Sequence, residues 1–148
     1  MEIIAVDPDV DFSGVAKFDT NTKAISTTKM SFTTLIDYIS RTRIYIKKLI
    51  IEGGWLNEKP NFHGGNYGTA QKIAYSVGRN AQTGILLAEF ADFYKIPKSI
   101  VKPLRKVWRN GKISQEELNT QLRGRGYTPL KKTNQDERDS ILLLLYGI

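Results

Sequence analysis

Two stretches constrain this chain more than any others. Ile3-Ile4-Ala5-Val6 runs straight into Asp7-Pro8, and Leu49-Ile50-Ile51 ends on Glu52. Short unbroken apolar runs read as strands buried on both faces, and the proline after Asp7 stops the first one. A carboxylate at the tip of a buried strand is costly unless something meets it, and a cation is the economical partner. A helical segment between the two runs would leave them parallel, with both acids leaving the same end of one sheet.

The bulk of the chain bounds the rest. Its 148 residues suffice for one domain with a core of its own, so a single domain over 1–148 is expected, without linker, repeat or low-complexity tract. With 41% hydrophobic and 25% charged residues, the composition is that of a globular protein. There is no cysteine, which excludes disulfides, thiolate metal sites and thiol nucleophiles. No signal-like start and no apolar run of about 18 residues is present, so an intracellular location without membrane contact is expected. The net charge of +7 is local: Lys102 to Lys132 holds nine basic residues and two acidic ones, a difference equal to the whole excess. A positive field concentrated in this way suits a polyanion.

Along the chain, Gly14 to Asp19 alternates as a second strand, Asn21-Thr22-Lys23 forms a tight turn, and Ala24 to Met30 is a third strand. Connections this short make an antiparallel meander. Phe32, Leu35, Ile36 and Ile39 share one helix face, with Ser31 as its cap. Gly53 to Gly68 reads as a glycine-rich loop interleaved with Trp55, Phe62 and Tyr67. A long helix follows over about Thr69 to Tyr94, with an apolar stripe from Ala70 to Ala88. Its small residues, Gly78, Ala81, Gly84, Ala88 and Ala91, allow close approach by its own sheet or by a second copy in a two-fold dimer. Ile96 to Pro103 supplies a fifth strand, and Leu104 to Trp108 a helical turn. Ser114 with Glu117 forms a capping box, and Asn134 caps a last helix that is acidic at its start and apolar at its end. The expected fold is α/β: a mixed five-stranded sheet, three strands antiparallel and two parallel, flanked by helices.

The chemistry is carried by acids. Asp7 and Glu52 end the two apolar strands, and Asp136 and Asp139 stand at i and i+3 on one face of the last helix, with Glu137 facing elsewhere. Four ionised carboxylates cannot share a dry site, because each raises the others' pKa. Divalent cations resolve the conflict, and an all-oxygen site favours hard ions such as Mg²⁺ or Mn²⁺. Two such ions, roughly 3.5–4 Å apart, activate a water and stabilise the leaving oxygen in phosphodiester displacement.

The succession of strand-Asp, two strands, helix, strand-Glu, long helix, strand and a helix bearing Asp-x-x-Asp resembles the RuvC family of Holliday junction resolvases, within the ribonuclease H-like superfamily. By motif, Asp7, Glu52, Asp136 and Asp139 match that family's metal-binding acids. Trp55, three positions past the glutamate, matches an aromatic that stacks on a base at the junction core. Gly78 to Gly84 resembles the start of the family's interface helix, and Lys102 to Lys112 falls where the family keeps DNA-binding and catalytic lysines. Among Lys102, Lys106 and Lys112, Lys106 is favoured for the catalytic role. The resemblance implies a ribonuclease H-like fold and a homodimeric endodeoxyribonuclease. Such an enzyme would use two Mg²⁺ or Mn²⁺ ions per active site to resolve four-way or branched DNA by paired symmetric nicks. It implies no small-molecule cofactor, and a bacterial cytoplasm or, for a viral protein, a host cell. Lys102, Arg105, Lys106, Arg109, Lys112, Arg123 and Arg125 would grip phosphates largely without regard to sequence. The chain departs from the family's Asp-Pro-Gly in having Asp7-Pro8-Asp9, followed by Asp11, and in its glycine-rich loop after Trp55.

Other readings fit less well. Asp7-Pro8-Asp9 also resembles the Asp-x-Asp of haloacid dehalogenase-like phosphatases, but that family needs a later acidic pair after a parallel strand and usually a longer chain. A calcium loop fits less well still, with Phe12 and Phe18 at its glycine and glutamate positions. His63 is the only histidine, too isolated for a triad. Trp55 could be a core residue, although its glycine and polar neighbours favour exposure and stacking on a base. Two alternatives stay open: the same fold cutting an RNA–DNA hybrid or other branched DNA, and a non-catalytic DNA-binding protein.

Overall fold

The computed structural model describes residues 1–57, 67–104 and 111–148. Its elements are β1 (Glu2–Asp7), β2 (Ser13–Asp19), β3 (Ile25–Met30), α1 (Phe32–Thr42), β4 (Ile46–Glu52), α2 (Tyr67–Phe93), β5 (Lys98–Val101), α3 (Gln115–Gly124) and α4 (Gln135–Gly147). Short 3-10 turns cover Arg43–Tyr45 and Gly54–Leu56. The strands form one mixed sheet in the order β3-β2-β1-β4-β5. The β1–β2 and β2–β3 pairs are antiparallel, and β1–β4 and β4–β5 are parallel. This is the expected plan of a three-strand meander extended by two parallel strands.

Alternation along β1 explains why it lies at the centre. Ile3 and Ala5 join Ala16, Phe18 and Ile50 beneath α3 and α4, where Leu118, Leu122 and Ile141 to Leu145 are buried. Ile4 and Val6 point the other way, joining Val15, Leu49 and Ile51 under Leu35, Ile39, Leu87 and Ala91 of α1 and α2. Each fully buried Ile or Leu contributes about 1.5–3 kcal/mol, so both sheet faces are strongly specified.

Caps fix the helix starts. Ser31 accepts from the Thr34 amide, and Ser114 and Glu117 complete the predicted box, with bonds of 3.1 and 3.0 Å. The long helix begins at Tyr67 rather than near Thr69, and the stripe predicted along it is buried only in its C-terminal half. There Leu87, Ala88 and Ala91 pack on the sheet, whereas Tyr75 and Val77 are exposed. Length accounts for the difference. A helix of 27 residues spans roughly 40 Å, about twice the span of a six- or seven-residue strand, so one half overhangs the sheet. The fifth strand is confined to Lys98–Val101, between Pro97 and Pro103, neither of which can donate to a ladder. Leu104 is not helical, and the rest of the turn predicted to Trp108 lies outside the described residues, as does His63.

Candidate active site

Asp7 closes β1 opposite Gly14 of β2. On its other side the last β1–β4 pair is Val6 with Ile51, which makes Asp7 and Glu52 the next residue on two adjacent strands. Neighbouring strands lie about 4.8 Å apart, so the two acids leave one sheet end side by side, as the apolar runs predicted.

The third acid arrives because α4 is held close. Asn134 accepts from the Glu137 amide at 2.9 Å, and Glu137 Oε2 accepts from the Asn134 amide at 2.8 Å, a reciprocal box that fixes the helix start. Glu137, expected only to face elsewhere, is therefore engaged in the cap. The first turn of α4 then rests on β2 at Gly14, where a Cβ would stand 2.6 Å from the Asp136 carbonyl oxygen. Only glycine permits this approach. In the sequence Gly14 shows only as the beginning of a strand; its role in seating α4 beside Asp7 emerges from the fold.

As a result Asp7 and Asp136 line one cleft of about 330 Å³, together with Pro8, Asp9, Asp11, Phe12, Gly14, Lys29 and Asn80. Asp7 and Glu52 line an adjoining cleft of about 190 Å³ with Pro8, Gly54, Val77, Asn80 and Ala81. Asp7, Pro8 and Asn80 border both. Asp139 lies one turn further along α4, half-buried, with its Oδ1 accepting from Gln135 Nε2 at 2.8 Å.

Lys29 is a feature the sequence did not announce. It reaches from β3 and forms an ion pair with Asp136. That hydrogen bond holds its ammonium above the usual lysine range; partial desolvation opposes the shift, and the charges of Asp136, Asp9 and Glu137 reinforce it.

The extra acids of the β1–β2 loop have distinct places. Asp9 Oδ1 accepts from the amides of Asp11 at 2.8 Å and Phe12 at 3.4 Å, so it builds the turn itself. Asn80 of α2 latches the loop by accepting from the Val10 amide at 2.9 Å and donating to Asp9 Oδ2 at 3.3 Å. Asp11 is exposed on the cleft rim.

Trp55 sits in the Gly54–Leu56 turn and is half-buried, less exposed than its neighbours in sequence suggest. Its ring fits a notch on α2, where a Cβ at Gly84 would lie 2.4 Å from Trp55 Cζ3 and 3.1 Å from Pro8 Cγ. Of the basic residues, Lys102, Lys112 and Arg123 are exposed, and Arg105, Lys106 and Arg109 lie outside the described residues. Arg125 donates to the Leu145 carbonyl at 2.7 Å and lies 5.3 Å from the Tyr146 ring, at the end of α4 remote from Asp136.

The donors match hard divalent ions in kind, since they are carboxylate oxygens throughout. In geometry the set is open: among the described residues no three Asp, Glu or His side chains stand close enough to hold one ion. Lys29 supplies the positive charge beside Asp136.

Comparison with solved structures places the architecture. The chain is similar to Thermus thermophilus RuvC in complex with a Holliday junction substrate, with 15% identity and a TM-score of 0.56 over 98% of this chain and 91% of that one. It is similar to the fowlpox virus Holliday junction resolvase at 20% identity and a TM-score of 0.55, covering 99% of this chain and 97% of that one. The fowlpox resolvase bound to junction DNA aligns at 19% identity and a TM-score of 0.51, over 99% and 96% of the two chains. No protein-family model matches the chain. No curated protein matches it by sequence. The fold is the ribonuclease H-like fold of RuvC-type resolvases, as the order of motifs implied.

Proposed function

We propose that this chain is a metal-dependent, structure-selective endonuclease that resolves four-way DNA junctions as an intracellular homodimer. One observation carries the reading: Asp7 borders two adjoining clefts, with Asp136 in one and Glu52 in the other, so acids far apart in sequence gather at one sheet end. Asp7 is the central ligand in this scheme, with Glu52 to one side and Asp136 and Asp139 of α4 to the other. Bound there, two Mg²⁺ or Mn²⁺ ions would ready a water at neutral pH and offset the charge of a phosphodiester under attack. Asn80 keeps the Asp9 turn in place, so the loop that follows Asp7 at the end of β1 is anchored to α2.

The other assignments rest on the charge and ring types along the chain. Lys102, Lys112 and Arg123, with Arg105, Lys106 and Arg109, would hold phosphates, and Lys106 would assist the chemistry. The exposed part of Trp55, next to the Glu52 strand end, would stack on a base at the crossover. Phe90 and Phe93 of α2 line an apolar groove, and Phe90 also borders a second one with Phe32, Ile36 and Tyr94. A second copy packed through α2 would cover this surface and set two acidic centres against two arms of a junction.

Incubation with labelled four-way junction, plain duplex and RNA–DNA hybrid, with and without Mg²⁺, tests the proposal. Junction-selective paired nicks that need Mg²⁺ are expected. Asp7→Asn and Asp136→Asn should abolish cutting while junction binding persists. Hybrid cutting would favour a ribonuclease H-type activity, and retention without cutting a DNA-binding role. An Asp136→Asn protein that still nicks junctions would refute the assignment of the site.

A further inference from the structure

Lys29 pairs with Asp136 inside the cleft that Asp7 also lines, and it does so from β3, two strands away from β1. From this geometry we infer that Lys29 is a built-in counter-ion that a divalent cation must displace from Asp136, so that this lysine sets the affinity of the site for metal. The inference rests on the acids forming a cation site and goes beyond it by assigning a role to a basic residue.

The physical argument is competition for one carboxylate. Asp136 shares the cleft with Asp7 and Asp9, and like charges gathered in one cleft repel. An ammonium relieves that repulsion with a single charge and three donors. A divalent ion relieves it better, and its approach to Asp136 is opposed by the like charge of the ammonium already paired with Oδ2. Both partners are partly exposed, with side chains 40% and 50% accessible, so the pair is weak enough to exchange. Among the described residues Lys29 forms an ion pair with Asp136 alone: it is exposed at an edge strand, and its β2 partner is Gly14.

Titration of the full chain with Mn²⁺ by calorimetry, without DNA, tests this. Lys29→Met should bind Mn²⁺ about fivefold more tightly than the parent protein, and Lys29→Arg, which keeps charge and pairing, should stay within about twofold. Arg79→Met removes a nearby exposed charge next to Asn80 and controls for the general field; it should also stay within about twofold. Equal or weaker binding by Lys29→Met, or an equal gain from Arg79→Met, would overturn the inference while leaving the cation site standing. If the parent protein shows no Mn²⁺ uptake that Asp7→Asn removes, the site itself is refuted, and the inference with it.

Discussion

The two ends of α4 are built by opposite rules. At the carbonyl end, Arg125 donates to Leu145 and Lys48 donates to Gly147 at 2.8 Å, so basic side chains take up oxygens the helix leaves free and complement its dipole. At the amide end, Asn134 and Glu137 each take up the other's amide, while Asp136 faces the cleft and meets Lys29. The first arrangement is closed within the fold, and the second presents charge to a site. Sequence position alone does not tell the two apart: Arg125 lies in the basic run expected to meet phosphate, yet it has a partner in the fold, whereas Lys29 belongs to no motif and lines the cleft.

Substitutions at each end should separate stability from site chemistry. The largest effect belongs to Gly14→Val, whose Cβ would collide with the Asp136 carbonyl; it should cost about 2–3 kcal/mol in denaturant unfolding and also weaken Mn²⁺ binding, because α4 is pushed off β2. Removing both basic groups at the other end, Lys48→Met with Arg125→Ala, should cost about 1–2 kcal/mol while leaving Mn²⁺ affinity unchanged. Equal loss of metal binding in both proteins would erase the distinction between the ends. Asn134→Ala should cost about 1 kcal/mol through the lost cap, read as a lower melting temperature.

The smallest effect is one of pH. Tyr38 donates to Glu2 Oε2 at 2.5 Å; burial first, and that bond second, push its ionisation upward. A raised pKa favours the protonated form in the fold, so its contribution is complete below the unfolded value of about 10 and fades as pH climbs from there through the folded value. Alkaline unfolding curves of Tyr38→Phe should lack this component. An unchanged pH profile would show that the bond adds nothing.

Much of this was legible because it is written locally. Ile3 to Val6 and Leu49 to Ile51 declare buried strands through unbroken apolar runs, and Ser31, Ser114 and Asn134 declare helix starts through bonds that span three residues. The positions of Asp7, Glu52 and Asp136 followed from those elements, since a strand tip and a helix start are places that the pattern itself fixes. The elements joined across the sheet were not legible. Gly14 matters only because Asp136 passes over it, and Lys29 only because β3 lies two strands from β1 in the sheet order. Trp55 illustrates the same limit: its neighbours in sequence suggest an open loop, and the notch at Gly84 that takes its ring is a feature of a different helix.

The most direct test of the account is anomalous diffraction from crystals soaked in Mn²⁺. Density within reach of Asp7 and Asp136 oxygens, with Lys29 moved off Asp136, is the predicted result. A saturated soak that leaves this cleft without an anomalous peak, and Lys29 still paired with Asp136, would contradict it.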